Sequence, residues 1–391
     1  MVDEARVAAG YAFNVTAANW QFPPFNRWGF SNCRRLLPTA RVARSSSAPH
    51  QFIRRPHDLS ELKVSAPGGE RSVDGILEEG STDGFLVLHR GRIVFERYFA
   101  ELNPDQTHIA MSVSKSILSA LIGVLAGRSV LDVAQTAGHY VPELNRGGYG
   151  AVTLDRLLDM RSGVKYSEDY DDPGAEFFDF DAVCGLRPRG RPHPASGMYE
   201  YLTMLPPDPT DPADFTYRST DSDVLGWVAE RSTGIALERL LSTELWAPLG
   251  AEEDADLIVD PIGSPLADGG LCTTLRDLAR FGQMQMQSGH FNGRQIVPEQ
   301  WIVECSVGDR AAYGRNGYTA LFPRGAYSRQ WWIADTERKI RLALGIHGQM
   351  IYIDPNTDLV CVTLASAPNP INPRTLASML RVCAAVGTAL S

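Results

Sequence analysis

Strand-like runs gather at the two ends of this 391-residue chain, with a long helical and loop-rich stretch between them. Residues 85–98 read as two apolar β-runs joined at Arg90-Gly91, a hairpin. Strand patterns return at 328–334, 340–347, 349–353 and 359–364, and a last helix is predicted from about Pro373. Residues 155–240 read as mostly helical, broken by Asp-, Gly- and Pro-rich chain from 167 to 215, and 276–287 reads as a further helix. Such an order predicts an α/β (α+β) chain, an antiparallel sheet flanked by helices and carrying an inserted, mostly helical region. The expected α/β part is 1–135 with 285–391, and the helical part is 136–284, carrying a loop at 167–190. Residues 1–50 hold many aromatics and prolines, as in Trp20-Gln21-Phe22-Pro23-Pro24-Phe25, and read as an extended arm over the surface. Ser45-Ser46-Ser47 reads as a loop.

Composition narrows the class. With 44% hydrophobic and 21% charged residues, the chain is neither disordered, coiled coil nor a small disulfide scaffold. A net charge of −9 supplies no general basic field for nucleic acid or anionic lipid. The basic run Arg187-Pro188-Arg189-Gly190-Arg191 lies beside Asp169, Asp171, Asp172, Glu176, Asp179 and Asp181, and reads as a solvated loop. The N-terminus has no basic and apolar leader, and the longest apolar stretch, 117–126, is too short to span a bilayer. Cysteines 33, 184, 272, 305, 361 and 383 are scattered and read as reduced thiols. A cytoplasmic protein with no membrane or nucleic-acid partner is expected. The eight histidines are dispersed, so neither metal nor cofactor is expected.

Lysine is scarce, with only Lys63, Lys115, Lys165 and Lys339. Three of the four follow a serine by three residues: Ser60 and Lys63, Ser112 and Lys115, Ser162 and Lys165. Only Ser112 stands at the head of a strongly apolar helix. There the helix N-terminus favours an oxyanion, and Lys115 falls one turn along on the same face. Apolar surroundings are expected to lower the lysine pKa and make it a general base for an activated serine. The plainer alternative is that Ser112 caps the helix and Lys115 reaches out to solvent. A second element is Tyr217, just ahead of an amphipathic helix ending at Gly234, either a core anchor or a proton shuttle. A third is the run 342–347, whose strand edge could supply a second oxyanion N–H.

In order and in combination these residues resemble the serine β-lactamase/penicillin-recognising superfamily, in its class C-like esterase branch. The resemblance rests on Met111-Ser112-Val113-Ser114-Lys115-Ser116, Leu157-Leu158-Asp159-Met160-Arg161-Ser162-Gly163, Tyr217-x-Ser219, Ala267-Asp268-Gly269-Gly270-Leu271 and Gln330-Trp331-Trp332. Within it, Trp20-Gln21-x-Pro23-Pro24-x-Asn26-Arg27-Trp28, Ser167-Glu168-Asp169-Tyr170-x-Asp172-Pro173 and Gly345-Ile346-His347-Gly348-Gln349 are similar to the 6-aminohexanoate-dimer hydrolases.

The resemblance implies a β-lactamase/DD-peptidase-like fold and a serine hydrolase working through an acyl-enzyme. It makes Ser112 the nucleophile, Lys115 the base, Tyr217 the proton relay, and the backbone N–H groups of Ser112 and Ile346 the oxyanion hole. Tyr170 would close over the substrate amide, Asp181 would pair with its amino end, and Asp268 and His347 would face it. Tyr217-Arg218-Ser219 and Ala343-Leu344-Gly345 replace the Tyr-x-Asn and Lys-Thr-Gly of β-lactamases, which implies weak antibiotic hydrolysis. Leu186 stands where the nylon-oligomer enzymes carry a tryptophan. Expected substrates are short linear amides of the 6-aminohexanoate type and small carboxyl esters. A carboxylesterase with little amidase activity, or a non-catalytic ligand sensor, remains as an alternative, and a homodimer is an open expectation.

Overall fold

The computed structural model describes residues 14–190, 192–210, 214–314 and 316–391. The expected hairpin is β1 (Thr82–His89) and β2 (Arg92–Tyr98). Its turn residues, Arg90 and Gly91, both take positive φ, 50° and 68°, the backbone that matches the twist of two adjacent strands. Five later strands complete the sheet: β3 (Ala326–Ser328), β4 (Trp331–Asp335), β5 (Ile340–Gly345), β6 (Gln349–Asp354) and β7 (Leu359–Ala365). They run antiparallel in the order β3-β4-β5-β6-β7-β1-β2, so β7 closes on β1 with Leu359 opposite His89 and Thr363 opposite Phe85. The two chain ends thus make one sheet, as their pattern predicts.

Every residue of β1 and β7 is buried, so the centre of the sheet is covered on both faces. Alternate side chains feed different cores. Leu86, Leu88, Ile351 and Val362 enter one cluster, and Phe85, Val87, Met350 and Cys361 the other. The helices that matter to the site or the core are α1 (Val113–Gly127), α2 (Glu176–Val183), α3 (Ser219–Thr233), α4 (Leu275–Met286) and α5 (Pro373–Leu390). In α1 every residue from Val113 to Leu125 is buried, as an all-round apolar helix requires. Gly234 ends α3 in the left-handed conformation. Asn372 caps α5, accepting from the N–H groups of Arg374 and Thr375, and α5 packs Met379, Val382 and Cys383 into the second cluster.

Two expectations need correction. The helix α4 falls mostly inside the stretch assigned to the helical region, yet it lies on the sheet: Phe281 stacks on Trp331 at 6.2 Å. A Cβ on Gly282 would come within 2.7 Å of Val360, so glycine lets the helix approach. The N-terminal segment is no surface arm either. Trp20 and Phe30 are buried, Asn26–Phe30 and Cys33–Leu36 are short helices, and Thr39–Val42 is a strand. Asn26 donates to the carbonyl of Ser366 (3.0 Å) and Arg27 to Asp83 (2.8 Å), so polar clamps fix the segment to the ends of β7 and β1. Ser45-Ser46-Ser47 is loop. The first 13 residues of the expected arm, and Arg191 of the basic run, lie outside the described residues.

A second, four-stranded sheet, in the order Thr39–Val42, Ala255–Ile258, Leu271–Thr273 and His108–Ile109, sets the site in place. One of its strands runs into Ser112 and another leads out of Asp268-Gly269-Gly270. Among the described residues no helix is long and apolar enough to cross a membrane.

Candidate active site

Ser112 occupies the N-cap position of α1 but makes no side-chain cap bond, so its hydroxyl is free for other work. The preceding Met111 takes φ of 48°, a strained conformation for a non-glycine residue. Hydrogen bonds to the small sheet hold this corner: Ala110 N–H donates to Leu271 O (2.8 Å) and Leu271 N–H to Ser114 Oγ (3.2 Å). One turn along, Lys115 is only 1% exposed. Its Nζ donates to Ser112 Oγ (2.9 Å), Ser219 Oγ (3.0 Å) and Asp268 O (2.8 Å), which uses all three ammonium protons. The snorkelling alternative is thereby excluded. The other two pairs are unlike it, since Lys63 and Lys165 are exposed and Ser60 bonds Asp58.

The charge of Lys115 corrects the sequence expectation. Burial lowers its pKa, but Tyr217, Asp268, Glu168 and Asp223 together outweigh burial and raise it. Asp268 Oδ2 stands 3.7 Å from the ammonium. The Lys115 ammonium stands 5.3 Å from the centre of the Tyr217 ring, and the phenol hydrogen-bonds with Ser112; burial raises its pKa, and the lysine charge pulls it down without cancelling that rise. Its ring stacks on Trp332 (5.5 Å), which in turn meets Phe215, Tyr318 and Tyr327. The phenol is therefore held by an aromatic bed, and Tyr217 is core anchor and hydrogen-bond partner at once.

A cavity opens over Ser112, and Tyr170, Asp181, Asp268 and Ile346 all line it. Ile346 is there because β5 ends against the start of α1: a Cβ on Gly345 would lie 2.8 Å from Ala110 O and 3.0 Å from Met111 Cβ. His347 is not there. It is buried behind the strand end, with Nδ1 2.6 Å from Ala367 O and its ring edge-on to Phe30. Burial lowers its pKa, and its place is structural rather than substrate-facing. Asp181 does line the cavity, but Arg187 already binds its carboxylate through Nε (3.1 Å) and Nη2 (2.9 Å). Burial still raises the Asp181 pKa to about 7 against that pull. Arg187 itself lies over Phe178, so the basic run is partly a built contact and not only a solvated loop.

Sequence reasoning missed several members. Glu168, quoted only as part of a motif, accepts from Ser219 N–H (2.7 Å), Ser219 Oγ (2.8 Å) and Tyr170 OH (2.6 Å). Trp20 forms a wall and donates through Nε1 to Leu186 O (2.9 Å). Asp223 accepts the Asp268 N–H (3.1 Å) from beneath. Gln330 is the hub of another motif. Ser222 donates to its side chain (2.6 Å), Ser116 to its carbonyl (2.7 Å), and its own amide to Leu157 O (2.9 Å). It ties α1, α3 and the end of the Leu154–Leu158 helix together. No group of three or more His, Cys, Asp or Glu is arranged to hold a metal among the described residues.

Similarity to known proteins agrees with this geometry. The beta-lactamase family model matches residues 70–385. A 6-aminohexanoate-dimer hydrolase of Paenarthrobacter ureafaciens is 40% identical over 94% of this chain and 92% of its own. A Bacillus anthracis protein described as a candidate 6-aminohexanoate-dimer hydrolase superposes with a TM-score of 0.88 at 28% identity, covering 96% of this chain and 97% of that one. A family VIII carboxylesterase shares the fold, with a TM-score of 0.55 at 16% identity over 80% of this chain and 94% of that one. The strand order, the serine–lysine pair and these matches agree: the chain belongs to the beta-lactamase family.

Proposed function

We propose that this protein is a serine hydrolase that cleaves short linear amides of the 6-aminohexanoate-dimer type, and small carboxyl esters, through an acyl-enzyme on Ser112. The observation that carries the reading is the buried Lys115, locked between Ser112, Ser219 and the Asp268 carbonyl. Attack forms the bond from Ser112 Oγ to the acyl carbon, and the Oγ proton passes to the Lys115–Tyr217 pair. Tyr217 relays it to the leaving amine or alkoxide as the C–N or C–O bond breaks. The N–H groups of Ser112 and Ile346 take the oxyanion. Water then attacks the acyl ester, returns a proton to Ser112 and releases the acid. Since Lys115 and Tyr217 both hold their protons tightly, the reactive form is the one that has lost a proton from this network. Turnover is therefore expected to climb with pH through neutrality into the alkaline range.

Asp181 and Asp268 give the cavity an acidic wall suited to a cationic amine end. A substrate ammonium must compete with Arg187 for Asp181, and this pairing favours the second reading, a carboxylesterase with little amidase activity. We place the protein in the cytoplasm, where six buried, free thiols suit a reducing compartment. The test is a fluorophosphonate probe followed by peptide mapping, with turnover of p-nitrophenyl butyrate and of the linear 6-aminohexanoate dimer compared. Adduct at Ser112, lost in Ser112→Ala, is expected. Labelling that persists in that variant refutes the mechanism, and fast ester turnover with no amide cleavage selects the esterase reading.

A further inference from the structure

Glu168 has no part in the bond-making steps above, yet it holds a carboxylate one hydroxyl away from the catalytic lysine. It lies in the loop ahead of α2, where Ser167 N–H donates to Glu176 (3.0 Å) and pins the loop to the helix start. Its two oxygens take three donors: Ser219 N–H, Ser219 Oγ and Tyr170 OH. A serine hydroxyl has one proton to give. Ser219 gives it to Glu168 and so presents a lone pair to Lys115 Nζ at 3.0 Å. The chain of donors then has one direction: Lys115 to Ser219 to Glu168. From the other side, the Tyr170 phenol is committed to the same carboxylate.

We propose that Glu168 is a positioning residue: through Ser219 it keeps Lys115 charged and aimed at Ser112, and through Tyr170 it binds the substrate-facing loop to that charge. This rests on the reading of Ser112 and Lys115 as the reacting pair. The other groups facing Lys115 are Tyr217, Asp268 and Asp223, and those around Glu168 are Tyr166, Tyr318 and Asp181. Replacing Glu168 by glutamine removes one negative charge from this set and leaves the rest. Loss of a proton from the Lys115–Tyr217 pair becomes easier, so the active form is reached at lower pH.

The test is the pH profile of kcat/KM for p-nitrophenyl butyrate in wild type, Glu168→Gln and Glu168→Asp, with Ser112 labelling measured on each. In Glu168→Gln the midpoint of the rising limb is expected to move to lower pH by about half a unit or more. Glu168→Asp keeps the charge, and its midpoint is expected to stay near wild type even where kcat falls. A purely structural role would depress both variants without moving either limb. Coincident limbs for Glu168→Gln and wild type overturn the proposal. If Glu168→Gln does not fold, Ser219→Ala breaks the same relay: a downward shift supports the proposal and an unmoved limb overturns it. Absence of wild-type labelling at Ser112 refutes the serine hydrolase reading itself, which separates the two failures.

Discussion

At Lys115 two opposing effects act on one ammonium. Desolvation disfavours its charge, but Tyr217 and three acidic side chains close around it and together outweigh burial. Sequence shows only an apolar helix, from which the lowered pKa follows; the carboxylates come from positions more than 50 residues away. Lys115→Ala should lower kcat/KM for an ester by about 10²–10⁴-fold while the protein still folds, as checked by steady-state kinetics beside a thermal melt. Asp181 gives a stability prediction. Its carboxyl titrates near 7 in the fold, against about 4 in an unfolded chain. Between those values the folded state holds a proton that the unfolded state has lost. Its contribution therefore favours the fold at low pH and is lost as pH rises through this window, by up to about 1.4 kcal/mol per pH unit. Asp181→Asn should remove that part, so melting curves at pH 5 and pH 7.5 should differ less in the variant than in wild type.

Single elements carry the geometry of the site by how closely they meet. Strand β5 ends against the first turn of α1 because Gly345 has no side chain to hold them apart. Gly345→Ala should push Ile346 away from Ser112 and cut kcat at least about tenfold, since small misplacements of reacting groups are costly; a stopped-flow burst would show slower acylation. Gln330 takes Ser116 of α1 on its backbone carbonyl, and its buried side chain joins α3 to the end of the Leu154–Leu158 helix. Gln330→Ala leaves several buried partners without bonds and should cost about 2–4 kcal/mol in urea unfolding. The strand runs, the hairpin turn, the Ser112 helix and the Gly234 stop were legible from sequence because each is set by local periodicity and turn chemistry. The second sheet was not, since its strands are two to four residues long and two of its three pairings join positions more than 160 residues apart.

Over the whole molecule, the segment around Trp20 couples parts that sequence separates widely. Trp20 packs on Phe30, Phe30 meets His108 and His347, and the indole N–H reaches Leu186 on the loop past α2. This N-terminal stretch thus forms a wall of the cavity and a brace for the sheet. Trp20→Ala should destabilise the fold by about 3–5 kcal/mol and raise KM more than it lowers kcat, measured with the same ester. Its aromatic and proline content suggested a surface wrap because no periodicity marked a buried face; burial came from contacts formed only on closure of the fold.

By itself the sequence determined the strand runs of the large sheet, the helices around Ser112 and Arg276 and at the C-terminus, and the serine–lysine spacing on a single helix. Those features depend on neighbours within a few turns or on alternation along a strand. Only the tertiary structure decided which of four lysines is buried, that it keeps its charge, that Arg187 holds Asp181, that His347 turns away from the cavity, and that Glu168 stands behind Ser219. Each of those outcomes is set by the partner a side chain meets across the fold, and no local pattern records that partner.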